Sequence, residues 1–263
     1  MWKQSYRLTK TFQSNEFKGP LRVAISIKTK LQKFRLNLPI IHVVANPGLK
    51  KRHWQQISLI LGSDIIPNDK TTLNDILKYS FLFENNLTKL NELADLAGKE
   101  FSIEQAFTKM KNDWNKIEFQ ITENNETKLF TLGSFEDIFT LLEDHLVKTT
   151  TMKNSPFIFQ FKSEVLDWYN KLHRMKNILD NLTKVQKAWL YLDPIFNSSD
   201  LRDQMMDENR FFTELNTIWC DIIEFLKNDL KPLNFIAKQK LLDNLEHCVY
   251  LYESIYRGIL FIN

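Results

Sequence analysis

Two hydrophobic periods run along this chain, and the helical one takes most of it. Leu21, Ile25, Leu31, Phe34 and Leu38 recur at near-helical spacing until Pro39, which closes the stretch. Pro47 and Gly48 turn the chain, and residues 49–61 resume with Leu49, Trp54, Ile57 and Leu61 on one side. Thr72 followed by Asp75 is a variant of the capping box, in which each side chain satisfies an amide of the other residue. Periodic helices are expected across 73–97 and 100–116. The period then drops to two. IEFQITENNETKLFTLG alternates apolar and polar positions on both sides of a polar, Asn-rich turn, which predicts a β-hairpin near 117–132. Ser134 with Asp137 restarts a helix toward Lys148. Beyond Ser155 the spacing predicts long helices over 156–183, 184–197, 208–228 and 233–260. Pro194 and Pro232 fall near the junctions, where a missing N–H costs least.

Composition agrees with that reading. Only 6 glycines and 7 prolines occur in 263 residues, which favours long uninterrupted elements over many short strands. Twenty phenylalanines and 6 tryptophans supply bulky core material. The expected fold class is mainly α with one small β-hairpin. Breaks at 62–71 and 149–156 divide the chain into helical sub-bundles, 1–62, 63–150 and 151–263, within a single region. They read as joints rather than flexible linkers, and no internal repeat or low-complexity tract is present.

Charge changes the picture at one end. The net charge is +3, but residues 1–60 hold twelve Lys/Arg against one acid, Glu16, a balance of +11. The remainder holds 23 basic against 31 acidic residues, a balance of −8. Such asymmetry belongs to a basic region that meets an acidic surface, or to a solvated basic helix face. The segment NPGLKKRHWQQ concentrates it: Lys50, Lys51, Arg52 and His53 precede Trp54. A nucleic-acid module would interleave several exposed aromatics with its basic residues, and only one is here. Trp54 is therefore expected to anchor the first sub-bundle, with Lys50, Lys51 and Arg52 as an interaction surface for an acidic partner.

Catalytic signatures are missing from the sequence. The glycines at 19, 48, 62, 98, 133 and 258 fit neither G-x-x-x-x-G-K-[ST] nor G-x-G-x-x-G, and H-E-x-x-H and G-x-S-x-G do not occur. Histidines 42, 53, 145, 173 and 247 are scattered, and each reads as a surface or satisfied core residue. Asp144 beside His145 is not an acid–base pair by position, because neighbours on a helix point apart. Cys220 and Cys248 are too few for a disulfide framework and wrongly spaced for zinc, and they read as two buried thiols of a reducing compartment. The opening MWKQSYRLTK lacks the apolar run of a signal peptide, and no run of 18 apolar residues appears. Sequons at Asn86, Asn125, Asn181 and Asn197 read as chance in an Asn-rich chain. An intracellular protein without cofactor, metal or catalytic site is expected.

Several blocks resemble the linker domain of dynein heavy chains. LPIIHVVANPGLKKRHWQQI is similar to the stretch that opens it, carried here by Leu38, Pro39, Ile40, Ile41, Pro47, Arg52, His53, Trp54 and Ile57. TLNDIL resembles the family's Thr-Leu-x-x-Leu-Leu helix start. AGKEFSIEQAFTKMKNDWNKIEFQI matches its next block through Ala97, Glu100, Glu104, Phe107, Trp114 and Phe119. SFEDIFTLLEDH resembles a helix ending in an acidic pair, and MKNSPFIFQFKSEVLDWYNKL contributes Trp168. VQKAWLYLDPIFNSSDLRDQM is similar to Val-Gln-x-x-Trp-x-x-Leu-x-x-Ile-Phe, carried by Gln186 and Trp189. The six blocks come in order over residues 30–255. Two departures stand out: Met205 and Met206 replace the usual Leu-Pro, and LYESIYRGILFIN lacks the family's ending that leads into the motor ring.

The resemblance implies an elongated, bent rod of helical sub-bundles whose role is mechanical. The family's linker arches over an ATPase ring, and its swing produces force on microtubules. Its ring is absent from this chain, so the sequence reads as a piece of a heavy chain or a shortened gene product, inactive alone as an ATPase. The implied partners are the motor ring of the same heavy chain, other dynein chains and, indirectly, the microtubule system, without nucleic acid or membrane. The implied location is the cytoplasmic cytoskeleton, with cilium and axoneme favoured over a cytoplasmic class. Pro39, His53, Trp54, Trp114, Trp168, Gln186 and Trp189 are the family-signature structural positions. Two other readings stay open on the residues alone: a helical protein-interaction scaffold using its basic end, and a nucleic-acid-binding helical domain.

Overall fold

A computed structural model describes residues 1–14, 18–123, 130–198 and 205–262. The turn of the expected hairpin with the Asn125 sequon, Ser199 of the Asn197 sequon, and residues 199–204 of the last family block lie outside the described residues. The elements in chain order are α1 (Trp2–Ser14), α2 (Lys18–Leu36), α3 (Leu38–Val44), α4 (Lys51–Leu61), α5 (Leu73–Leu77), α6 (Ser80–Asn85) and α7 (Leu87–Trp114). The strands β1 (Ile121–Glu123) and β2 (Phe130–Leu132) follow, then α8 (Glu136–Lys153) and a 3₁₀ turn at Pro156–Phe161. The chain continues through α9 (Lys162–Phe196), α10 (Met206–Asn228), α11 (Pro232–Ala237) and α12 (Leu241–Ile262). The protein is mainly α with a single antiparallel hairpin among the described residues. It divides into two compact units, residues 1–104 and 105–263.

In the first unit, α1 and α2 pack together with little apolar material between them. Only Ser5, Thr9 and Ala24 are buried along the two helices. The hydroxyls can be buried because they fold back on their own helix: Thr9 Oγ1 donates to the Ser5 carbonyl at 2.8 Å and Ser5 Oγ to that of Trp2 at 2.9 Å. The apolar stripe expected along α2 is not its packed face. Ile25, Phe34 and Leu38 are exposed, and the side that packs runs through half-buried Leu21, buried Ala24 and half-buried Lys28 and Leu31. The unit's core lies further along, where α3, α4, α6 and α7 bring Ile40, Val43, Ile57, Leu61, Phe83, Leu90 and Ala94 together. Gly62 ends α4 at φ +65°, a conformation that favours glycine, and its N–H reaches the carbonyl of Leu59.

Several boundaries differ from the periodic pattern. Pro39 opens α3 rather than merely closing α2, since its fixed φ and absent N–H suit a first turn. The capping box of Thr72 and Asp75 forms, with Thr72 N–H donating to Asp75 Oδ2 at 3.1 Å, but the helix it starts stops at Leu77. Asn86 then bonds back to the Leu82 carbonyl at 3.0 Å, and α7 begins anew at Leu87. The expected breaks near 98 and 183 are absent. α7 runs on through Gly98, and α9 is one 35-residue helix with Pro194 inside its last turns. Its buried positions, from Val165 through Leu172, Leu179 and Val185 to Phe196, keep three- and four-residue steps with no gap.

α9 is the spine of the second unit, with α8, α10 and α12 packed against it. Leu172, Met175, Leu182, Trp189, Leu215, Trp219, Leu245 and Ile255 are buried in that bundle. Gly258 of α12 leaves room for the Glu208 side chain of α10, whose Oε1 would meet a Cβ there at 2.1 Å. The hairpin pairs Ile121 with Leu132 and Glu123 with Phe130. Below it Phe119 meets Phe135 and Phe235 edge-on, at 6.0 and 5.3 Å between centroids.

Candidate functional site

The basic segment lies on α7, and the structure explains why the chain turns there. Asn46 accepts the N–H of Gly48 at 2.9 Å and donates its own amide to the Ala94 carbonyl at 2.7 Å. That pins the Pro-Gly turn against the helix. Gly48 sits so close that any Cβ would come within 2.1 Å of the Ala97 carbonyl oxygen. The charges then fall opposite two acids one helical turn apart. Lys50 Nζ meets both carboxylate oxygens of Glu104 at 2.7 Å. Arg52 pairs with Glu100, whose Oε2 also lies 3.3 Å from His53 Nε2.

His53 is the buried member of this group, at 2% exposure, while Trp54 is half-buried on the edge of the core cluster. The expected order of anchor and neighbour is reversed here. The imidazole is held at both nitrogens: Nδ1 accepts the Lys50 N–H at 3.1 Å, which leaves the Nε2–H for Glu100. Burial, with Arg52 beside it, lowers the pKa of His53 against the opposing pull of Glu100. Of the three basic residues expected to form a surface, Lys50 and Arg52 are engaged within the chain, and Lys51 stands exposed with no acidic partner among the described residues. Sequence reasoning did not pair them with Glu100 and Glu104. The signal was present as two acids at i and i+4 on a helix, but it carries no address. Pro39 is exposed at the start of α3.

In the second unit Trp114, Trp168, Gln186 and Trp189 all turn toward other parts of the bundle. Trp114, 1% exposed, donates its indole N–H to His145 Nδ1 at 3.0 Å. Burial lowers the pKa of His145, and Asp144 stands 3.9 Å from its far nitrogen. Trp168 packs edge-on against Phe107, and its indole nitrogen has no hydrogen-bond partner among the described residues. Trp189 donates to Asn216 Oδ1 at 2.8 Å and lies beside Trp219. Gln186 makes a two-point clamp: its Oε1 accepts the Leu132 N–H at 2.8 Å and its Nε2 donates to the Leu132 carbonyl at 2.9 Å. Arg174, which the sequence did not single out, holds the end of α11 through the carbonyls of Ile236 and Lys238.

No group of three or more His, Cys, Asp or Glu among the described residues could hold a metal ion. Only one thiol is buried: Cys248 is pushed up to about 12 by burial and by Glu214, whereas Cys220 is exposed at the helix surface. Beside Cys220, a 240 Å³ cavity is lined by Phe130, Trp189, Trp219, Glu224 and Lys227, with the Lys227 ammonium 3.6 Å from the centre of the Phe130 ring. No described helix is long and apolar enough to cross a membrane.

Comparison with known proteins gives one consistent answer. A sequence model described as "Dynein heavy chain, N-terminal region 2" matches residues 1–260. Dynein axonemal heavy chain 3 of Mus musculus is 37% identical over 259 residues, 98% of this chain and 6% of that protein. Dynein axonemal heavy chain 12 of Homo sapiens is 39% identical over 215 residues, 80% of this chain and 7% of that protein. Dynein axonemal heavy chain 1 of Mus musculus is 31% identical over 237 residues, 90% of this chain and 6% of that protein. The chain thus spans a small part of the length of the curated relatives it matches.

Proposed function

We propose, from the premise that this chain belongs to the dynein heavy chain family and corresponds to its N-terminal region 2, that it is a mechanical linker segment of an axonemal motor. In this reading the segment carries an ATP-driven rearrangement of the motor ring into displacement along microtubules. The ring would lie elsewhere in the heavy chain, and the place of work would be the axoneme. The observation that supports it is α9. A 35-residue helix is about 52 Å long at 1.5 Å per residue. It is packed along its whole length, clamped to the hairpin by Gln186 and to α11 by Arg174. A body that transmits displacement must resist bending, and a long helix buried on one side and pinned by polar bonds does so.

The test belongs in a complete axonemal heavy chain. Gln186→Ala together with Arg174→Ala should loosen α9 without emptying the core. Microtubule gliding should slow severalfold while ATP turnover by the ring persists. Gliding at the unaltered speed, with the segment's melting temperature lowered, would refute the lever reading. A proportional loss of turnover and gliding would assign the segment to the ring's own chemistry instead.

A further inference from the structure

The excess positive charge has moved to another place than the sequence suggested. Lys50 and Arg52 are matched by Glu104 and Glu100. Helices α1 and α2 hold nine Lys and Arg residues and no acid within their bounds. Lys28 and Arg35 lie over the rings of Tyr6 and Trp2, and the other seven stand exposed. On the same pair Val23, Ile27 and Phe34 are 60%, 47% and 51% exposed. Their spacing of four and seven residues puts them on one stripe of α2, away from the packed side through Ala24. Three large apolar side chains in a row on a strongly basic surface are not an ordinary solvated face.

We infer that the α1–α2 pair is a docking face for an acidic amphipathic helix of a partner protein, seated along Val23, Ile27 and Phe34. The stripe runs over eleven residue steps, about 16 Å, which three turns of a helix match with anchors at i, i+4, i+7 and i+11. At its end lies a 320 Å³ hollow lined by Trp2, Leu31, Phe34, Arg35 and Leu38, a concave seat for one large side chain. Lys30, three residues after Ile27 and four before Phe34, edges the stripe and can meet a carboxylate beside the anchors. Shape and charge together select the occupant. A phosphate backbone would use the lysines and leave the apolar stripe wet. A bilayer would take one broad apolar face, whereas the exposed apolar side chains of α2 are split between two flanks of its packed side, Val23, Ile27 and Phe34 on one and Ile25 and Leu36 on the other. The inference rests on α1, α2 and the first residue of α3, and is independent of the linker reading.

The experiment uses the full 263-residue chain and a fluorescent peptide with Leu at i, i+4, i+7 and i+11 and Glu beside them. Saturable binding is expected, weakened by salt. A peptide of the same composition in scrambled order should bind at least about tenfold more weakly. Ile27→Gln and Phe34→Gln replace exposed side chains and should keep the helical circular dichroism while losing about tenfold in affinity. Lys30→Glu tests the same face through charge, should either apolar change disturb folding. Lys50→Glu lies outside it and should bind as the unaltered chain does. Equal binding of the scrambled peptide would overturn the proposal, as would unchanged binding by the Ile27 and Lys30 variants. Tighter binding of phosphatidylserine vesicles or a short duplex, with the same sensitivity to those variants, would assign the face to a membrane or a nucleic acid instead.

Discussion

Helix α2 and helix α9 are both long and both rich in apolar residues, yet α2 buries one side chain over 19 residues and α9 buries twelve over 35. The difference lies in what each finds opposite. α9 meets α8, α10 and α12, and its stripe closes on theirs. α2 meets α1, whose packed side offers Ser5 and Thr9, so the pair buries only small residues while Val23, Ile27 and Phe34 stand exposed. Periodicity therefore identifies a helix without saying which of its faces is covered. An apolar stripe left in water where helices already form is a statement about partners rather than about folding.

The contrast breaks most sharply in stability. Trp189→Ala empties a site that is 2% exposed and leaves Asn216 without its indole donor, so urea unfolding should show a loss of ~3–5 kcal/mol. Ile27→Ala should stay within about 0.5 kcal/mol of the unaltered protein. If the two cost the same, α2 is packed in solution and the comparison is wrong. Glycine gives the next largest contrast, because the same added methyl should cost stability at one position and little at another. Gly48→Ala meets the Ala97 backbone and should cost about 1–3 kcal/mol. Gly19→Ala meets nothing within 4 Å beyond its chain neighbours, but Pro20 follows it and disfavours helical backbone at a residue with a Cβ, which offsets the helix preference of alanine and leaves the change within about 0.5 kcal/mol. Thermal melts of both variants decide it.

A smaller effect is expected from the hairpin clamp. Gln186→Ala removes two hydrogen bonds to Leu132 and should cost about 1–2 kcal/mol, with the Leu132 amide exchanging faster in deuterated water. Acid titration sharpens the comparison last. His53 and His145 have folded pKa values below 6.5, each mainly through burial, whereas α1 and α2 contain no histidine. The unfolded chain therefore binds more protons than the folded one as pH falls past 6.5. Stability is fully present above that value and is lost as pH drops toward the lowered pKa values. Urea unfolding over a pH series should show this decline. A rise in stability on acidification would refute the burial account.

What was legible beforehand was local. The helical class, the hairpin's place and the capping box of Thr72 and Asp75 all rest on neighbours within a few residues. The length of α9 was misjudged because a break was placed between 183 and 184, although Leu182 and Val185 on either side continue one buried stripe. α1 gave no periodic signal, because its packed side is hydroxyl-bearing. The basic segment was visible as charge, but its pairing spans 48 to 54 residues of sequence and only folding supplies it. Cys220, expected inside, lies outside for a related reason: one thiol in a helix carries no mark of the face it occupies.

The Gln186 clamp makes the hairpin a gauge of where α9 stands. A carboxamide spans the same donor and acceptor as a peptide unit, so α9 presents β2 with one unit of a third strand. Because both bonds end on one residue, they tolerate little sliding. A step of one residue would carry the amide about 1.5 Å along the axis and swing it roughly 100° around it, which breaks both bonds at once. Screw-like slippage of the spine is thereby opposed by a latch at one rung, whereas motion of α9 and the hairpin as a single piece leaves the latch intact.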